Sequence, residues 1–431
     1  MSTPLIYMLV ALVTTTAMGF PVGFALFGSG IFYFILTGQD PSQAGELILH
    51  GLFGAFVLLA VPLFVLAARL MNDGGITERL LQLCIVLVGR HRGGLAQVNV
   101  MTSLVFAAMS GSATADAAGV GRVLIRMMTK GGGYSPGFAA AVTSAAATIG
   151  PIFPPSILMV LYALASSASV GGLFMAGVLP GLLMAAMMMM MVAWIARKRN
   201  YPTVAPPPMS EVLGVVGRSI LPMLMPAILL GGIYSGAFTP TEAAAVASFY
   251  ALILSAAIYR TLGFAGFVEA LTDTARVTAT VTCVFFGAFV FSYILTVERI
   301  PAAIAAFFDN TDVSANMFLL AVNILLLILG CFMDAAAIIL VMVPLLLPTI
   351  QTLGIDPIHF GLVVTFNVTI GLVTPPYGMV LFVVSGVNKI PIREILAEIW
   401  PFIAVLLAAL AILTYVPWFS LALPTYFGFV R

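Results

Sequence analysis

The chain has 431 residues, of which 62% are hydrophobic and only 8% charged, with a mean hydropathy of +1.16 and a net charge of +1. A soluble domain carries roughly 25% charged residues, so there is too little polar surface here to cover a water-soluble globule, and a polytopic membrane protein is expected. The near-neutral charge gives no indication of nucleic acid, and the apolar runs are too long for the strands of a barrel.

The apolar start, Leu5 to Val13, lacks a basic flank and reads as a retained first helix. Pro4 to Phe20 and Pro21 to Thr37 follow, separated by Gly19-Phe-Pro-Val-Gly23, as two helices or one kinked one. No Lys or Arg precedes Arg69, which favours a periplasmic start. Gly51 to Met71 is a spanning candidate. Asn72 to Arg92, with Glu78, Arg79, Arg90, His91 and Arg92, is amphipathic and is expected to lie at the interface or brace the core. Next come Leu95 to Met109, the polar tip Met109-Ser-Gly-Ser-Ala-Thr-Ala-Asp116, and Ala113 to Met128. Each arm is about 15 residues, short of the roughly 30 Å hydrocarbon core, so the pair predicts a re-entrant hairpin.

Ser135 to Ile149 and Ser156 to Ser166 are short helices divided by Gly150-Pro-Ile-Phe-Pro-Pro155. Leu173 to Ala196 is a full span, and its run Met187 to Met191 reads as packing or lipid-facing surface. Arg197-Lys-Arg199 and Pro206-Pro-Pro208 mark a loop over 197–217, placed in the cytoplasm by its basic charge. Ile220 to Ile233, Ala243 to Ile258, Ala275 to Leu295, Phe318 to Leu329, Ala335 to Leu347, Phe360 to Ile370, Met379 to Val387 and Ile399 to Val416 are further apolar segments. Together these give roughly ten to twelve crossings plus two hairpins.

Tyr134-Ser-Pro136, Thr148-Ile-Gly150 and Pro154-Pro155 recur as Ile355-Asp-Pro357, Thr369-Ile-Gly371 and Pro375-Pro376, offset by 221 throughout. Upstream, Gly111 with Asp116 matches Gly330 with Asp334 after a small length change. One offset shared by three motifs indicates a duplication. The expected fold is all-α, with two repeats, each holding a re-entrant hairpin and a broken helix. Hydropathy does not fix the crossings between the repeats; inversion is the expectation. Paired Gly/Pro-interrupted segments in corresponding halves point to a transporter's binding site. A broken helix offers free carbonyls and N–H groups, the first suited to Na⁺ and the second to an anionic substrate.

An ionisable group at membrane depth costs at least about 2.5–3.5 kcal/mol. Asp116 and Asp334 each follow a glycine-containing tip, so an ion-binding or tip-organising role is expected, compatible with helix capping. Arg122 and Arg126 are expected to snorkel. Glu242, after Thr239-Pro240, reads as a structural first-turn acid, and Pro344 and Pro348 as packing kinks. His50, His91 and His359 form no metal motif, and Cys84, Cys283 and Cys331 read as small buried hydrophobes.

At these residues the chain resembles the large membrane (M) subunit of tripartite ATP-independent periplasmic (TRAP) transporters. The resemblance rests on Ser110-Gly-Ser-Ala-Thr-Ala-Asp-Ala-Ala118, Tyr134-Ser-Pro-Gly-Phe-Ala-Ala-Ala141, Thr148-Ile-Gly-Pro-Ile-Phe-Pro-Pro-Ser156, Thr239-Pro-Thr-Glu-Ala-Ala-Ala245 and Gly371-Leu-Val-Thr-Pro-Pro-Tyr-Gly378. It covers nearly the whole chain. It implies a bacterial inner-membrane importer driven by Na⁺ as coupling ion, with no other cofactor. Its implied partners are a small membrane subunit (Q), a periplasmic solute-binding protein (P) and a small organic anion such as a C4-dicarboxylate or sugar acid. It also implies an elevator motion of a transport domain against a scaffold.

Carried over by motif, Ser110, Ser112, Asp116, Thr148 and Gly150 belong to one Na⁺ site. Gly330, Asp334, Thr369, Gly371 and Thr374 belong to the other. Gly111, Thr114, Pro154, Pro155, Pro375 and Pro376 line the substrate path. The second tip, Gly330-Cys-Phe-Met-Asp334, is poorer in hydroxyls, so main-chain carbonyls are expected to supply most of its ligands. The matching division is 1–92 scaffold with an arm helix, 93–170 first transport repeat (hairpin 94–128, broken helix 135–166), 171–312 scaffold, 313–390 second transport repeat (hairpin 313–348, broken helix 359–387) and 391–431 a C-terminal helix. Two other functions would also use buried polar groups in such a chain. A passive anion channel would want charged rings or a filter loop, and none is seen. An intramembrane aspartyl protease would want Gly-x-Gly-Asp, and neither Asp116 nor Asp334 stands in that motif.

Overall fold

The computed structural model describes residues 2–131, 133–204, 208–309 and 313–430. Pro206 and Pro207 of the expected loop, and the expected boundary at 312, lie outside the described residues. Among those described, every regular element is helical.

α1 (Thr3–Ala17) and α2 (Val22–Thr37) are separate helices that pack on each other. α3 (Gln43–Gly54) ends before a 3₁₀ turn, Phe56–Leu59, that leads into α4 (Ala60–Asp73), so the expected span Gly51 to Met71 is interrupted at Ala55. α5 (Ile76–Val88) buries Leu80, Leu81 and Cys84 and packs on its neighbours as a brace. α6 (Gly94–Ser110), α7 (Ala113–Ala118) and α8 (Val120–Lys130) form the first hairpin, whose return arm breaks at Gly119. α9 (Pro136–Ala147) and α10 (Ile157–Ser166) flank the first Gly/Pro break.

α11 (Val170–Arg199) and α12 (Met209–Tyr234) follow. The expected loop 197–217 is therefore largely helical. Arg197-Lys-Arg199 forms the last turn of α11, where cations suit the helix dipole, and α12 carries Pro222 and Pro226 inside it. α13 (Pro240–Leu252) continues as a π-helical turn, Ile253–Ile258. It starts with a capping box: Glu242 accepts the Thr239 N–H at 2.8 Å and donates its own N–H to Thr239 Oγ1 at 3.3 Å, the structural role expected of Glu242. α14 (Phe264–Val297) begins well before the expected Ala275.

α15 (Ile300–Asp309) leads to α16 (Ala315–Gly330) and α17 (Ala335–Thr352), the second hairpin, and to α18 (Pro357–Gly371) and α19 (Met379–Asn388), the second broken pair. α20 (Ile392–Tyr415) and α21 (Trp418–Tyr426) end the chain. Seven stretches among the described residues are long and apolar enough to cross a membrane, fewer than the ten to twelve expected. Segments such as α1, α2 and the halves of the broken helices are each too short to qualify.

One large core joins the hairpins and broken helices to α4, α11, α13 and α20. A second core, built from Leu5, Leu26, Phe34, Val290 and Ile294, binds α1 and α2 to the C-terminal half of α14 and receives Leu345 of α17. Arg199 pairs with Glu398 at 2.8 Å and the Tyr134 ring lies 4.4 Å from that of Tyr201, so α9 and α20 begin where α11 finishes. Tyr162 donates to the Pro357 carbonyl at 2.6 Å, and His359 Nδ1 lies 2.7 Å from Ser420 Oγ. α18 therefore begins at the opposite end, where α10 finishes. The α9 end carries Arg90, Arg92, Arg126, Lys130, Arg197 and Lys198 with Glu398 among them; the far end carries Asp40, Glu242, Glu298 and Asp356 with Arg299.

Candidate functional site

In the first hairpin, α6 closes on Gly111, whose φ of +60° suits a residue without a Cβ. Ser112 then caps α7, accepting the Ala115 N–H at 3.4 Å, with its Oγ 3.2 Å from Thr114 Oγ1. Asp116 stands one turn into α7, is only 5% exposed, and its Oδ2 is buried with no hydrogen-bond partner. This tip lies against the break after α9. A Cβ on Gly150 would sit 2.7 Å from Asp116 Oδ2, and one on Gly111 would sit 2.6 Å from the Pro155 carbonyl oxygen. Thr148 is buried, its hydroxyl donating to the Ala145 carbonyl at 2.5 Å. Gly150 and the Ser112 turn are thus brought to the Asp116 carboxylate, with Pro154 and Pro155 buried behind the tip. The Pro154–Pro155 bond is cis, as is Pro375–Pro376.

The second site is built differently. Gly330 and Gly371 bring two backbones together: a Cβ on Gly371 would lie 2.6 Å from Gly330 Cα. Asp334 caps α17, its Oδ1 accepting the Ala336 N–H at 2.9 Å. Thr369 donates to the Thr365 carbonyl at 2.6 Å and Thr374 to the Ile370 carbonyl at 2.8 Å, so each hydroxyl serves its own helix while its oxygen stays available as an acceptor. Pro376 and Tyr377 are exposed, whereas the first break is buried. Asp334 is therefore the counterpart of the capping Ser112, and the sequence match of Asp116 with Asp334 does not carry over to their roles. Two residues separate α6 from α7 and four separate α16 from α17, which shifts the carboxylate from inside the returning helix to its cap.

The two sites share walls. α19, the second half of the later broken pair, packs on α7, α8 and α9, and α10 packs on α17 and α18. A pair of buried amide contacts, one from each hairpin and shifted by 224 residues, escaped the sequence reading. Asn99 on α6 donates to Thr143 on α9 at 2.6 Å, and Asn367 on α18 donates to Asn323 Oδ1 on α16 at 2.8 Å. All four are buried, and each pair spans 44 residues. Asn323 in turn donates to Thr414 of α20 at 2.9 Å. A signal was present: Asn99 and Asn323 stand inside apolar stretches, where a buried amide costs free energy unless it is hydrogen-bonded, though less than a charge does. Arg122 and Arg126 are exposed, as snorkelling requires. Among the described residues no group of three or more His, Cys, Asp or Glu side chains gathers as a metal site.

A polytopic helical bundle in which two hairpin tips meet two helix breaks is the architecture of a membrane transporter with discontinuous helices. The comparisons give the particular family. The model of the "Tripartite ATP-independent periplasmic transporter, DctM component" matches residues 9–419, and the chain belongs to that family. It is 42% identical to the sialic acid TRAP transporter large permease SiaM of Vibrio cholerae, over 95% of this chain and 96% of that one. It is 40% identical to the C4-dicarboxylate TRAP transporter large permease DctM of Pseudomonas aeruginosa, over 93% of each. Its fold is similar to that of the YdaH transporter of Alcanivorax borkumensis, with a TM-score of 0.61 over 88% of both chains at 18% identity. The chain is a multi-pass membrane transport protein and not an enzyme; neither the protease nor the channel reading is favoured.

Proposed function

We propose that the protein is the large permease of a Na⁺-coupled importer for a small organic anion in a bacterial inner membrane. The observation that carries this reading is Asp116: a buried carboxylate oxygen without a donor, beside the Gly150 backbone and the Ser112 turn. Such an oxygen asks for a cation or a proton, and carbonyls and hydroxyls around it suit a hard monovalent ion. On this reading Ser110, Ser112, Asp116, Thr148 and Gly150 hold one Na⁺. Gly330, Asp334, Thr369, Gly371 and Thr374 hold the second through main-chain and hydroxyl oxygens, with Asp334 shaping the cage as a cap. Gly111, Thr114, Pro154, Pro155, Pro375 and Pro376 flank the anion's path.

The opposite starts of α9 and α18 support an inverted pair of repeats. Residues 93–170 and 313–390 form the moving transport domain, and 1–92 with 171–312 form the scaffold. The positive-inside tendency puts the basic end in the cytoplasm. Relatives named for sialic acid and C4-dicarboxylates favour a carboxylate cargo. A small Q subunit and a periplasmic binding protein complete the tripartite system. The test is uptake into proteoliposomes holding the large and small subunits, with the cognate binding protein outside. Flux should require both an inward Na⁺ gradient and the binding protein; flux indifferent to both sinks the reading.

A further inference from the structure

We infer that the protein carries a site for an anionic phospholipid at its basic end, between the base of the first hairpin and the segment after α11. A cavity of about 600 Å³ opens there, lined by Leu95, Met127, Tyr134 and Val204 together with Arg126 and Lys130. Arg126 and Lys130 are one turn apart on α8, so their side chains share a face. Among the described residues neither enters an ion pair; Arg69 and Arg276 pair elsewhere, and Arg199, beside Tyr201 behind the Tyr134 wall, is taken up by Glu398.

The opposite wall is fixed. Val204 donates its N–H to the Gly89 carbonyl at 3.0 Å and Gly94 donates to the Pro202 carbonyl at 3.2 Å, which draws the turn with Arg90 and Arg92 alongside. Nearby on α11, Trp194 is 58% exposed, with Lys198 Nζ 5.6 Å from its ring centroid. An exposed Trp under a snorkelling Lys marks headgroup depth.

Two unpaired cations facing a mostly apolar cavity at that depth match an amphiphile with one negative end. The phosphate sits between Arg126 and Lys130, and the guanidinium takes two of its oxygens. The chains run along Leu95, Met127 and Val204. A soluble anion would satisfy the cations and leave the apolar lining wet, which selects the lipid over free phosphate. The bound lipid bridges the hairpin base and the segment following α11.

The full chain, purified in neutral detergent, is offered phosphatidylglycerol or phosphatidylcholine, and retained lipid is counted by native mass spectrometry. The native protein should keep phosphatidylglycerol in preference. Arg126→Gln/Lys130→Gln should bind it about 30-fold more weakly, from about fivefold per surface cation. Arg126→Lys/Lys130→Arg should retain it, which separates lost charge from lost fold; should the neutral double variant not fold, Lys130→Gln alone should show the fivefold loss. Equal retention of both lipids, undiminished retention by the neutral variants, or displacement by inorganic phosphate would overturn the assignment.

Discussion

Asp116 and Asp334 look alike in the sequence and do different work. Asp334 spends an oxygen on the Ala336 N–H, an ordinary cap, while Asp116 Oδ2 is buried beside Gly150 without a donor. Asp116→Asn keeps the shape and removes the charge. Apparent Na⁺ affinity in proteoliposome uptake should fall at least about tenfold, because a hydrogen-bonding contact to a charged group contributes about 1.5–3 kcal/mol. Unchanged Na⁺ dependence would remove Asp116 from the ion site. Gly371 offers a second test. An added methyl would fall 2.6 Å from Gly330 Cα, with backbone on both sides and no flexible side chain to yield. Gly371→Ala should destabilise by about 1–3 kcal/mol, read as a lower melting temperature, and should abolish uptake. Both glycines and Asp116 were legible because a Gly or a carboxylate in an apolar run is conspicuous. Asn99 and Asn323 drew no such notice, because a buried neutral amide costs less than a buried charge and is satisfied by one or two hydrogen bonds.

At the scale of elements, segment type was legible and extent was not. α14 runs from Phe264 although hydropathy marks only Ala275 onward, because Glu269, Asp273 and Arg276 are tolerated where Arg69 ties Asp73 and Asp273 into a network. α12 runs through Pro222 and Pro226 and begins at Met209, eleven residues before the apolar segment expected from Ile220. Proline is tolerated in such helices because neighbouring elements can satisfy the carbonyls it frees. What joins α16 to α18 and α20 is the chain Asn367, Asn323, Thr414. Asn323→Leu removes both side-chain links and leaves the Asn367 amide only the Asn323 main-chain carbonyl, 3.0 Å away. It should cost about 0.6–1.7 kcal/mol per hydrogen bond lost. Thermal unfolding should show a larger loss for Asn323→Leu than for Thr414→Val, which removes only one link. Equal losses would mean that the Asn323–Asn367 contact contributes nothing.

For the whole molecule, the shared offset showed two similarly ordered sets of motifs, but which set touches which was not readable, since crosswise packing depends on the end at which each hairpin enters. The seam between α17 and α14, where Leu345 meets the core of Val290 and Ile294, joins the proposed moving and fixed parts. A disulfide engineered across this seam, in a background freed of Cys84, Cys283 and Cys331, should stop uptake when oxidised and release it when reduced. Full uptake by the oxidised protein would mean that no sliding occurs there. The crosswise packing of α19 on α7 and of α10 on α17 has a thermodynamic consequence. If each tip holds an ion as proposed, an ion that stiffens the first tip presses on a wall of the second, and the two occupancies share a coupling free energy. Linkage makes that coupling reciprocal: whatever factor one occupancy lends the other is returned in full. Uptake should therefore rise with Na⁺ concentration with a Hill coefficient above one; a simple hyperbolic rise would overturn the coupling.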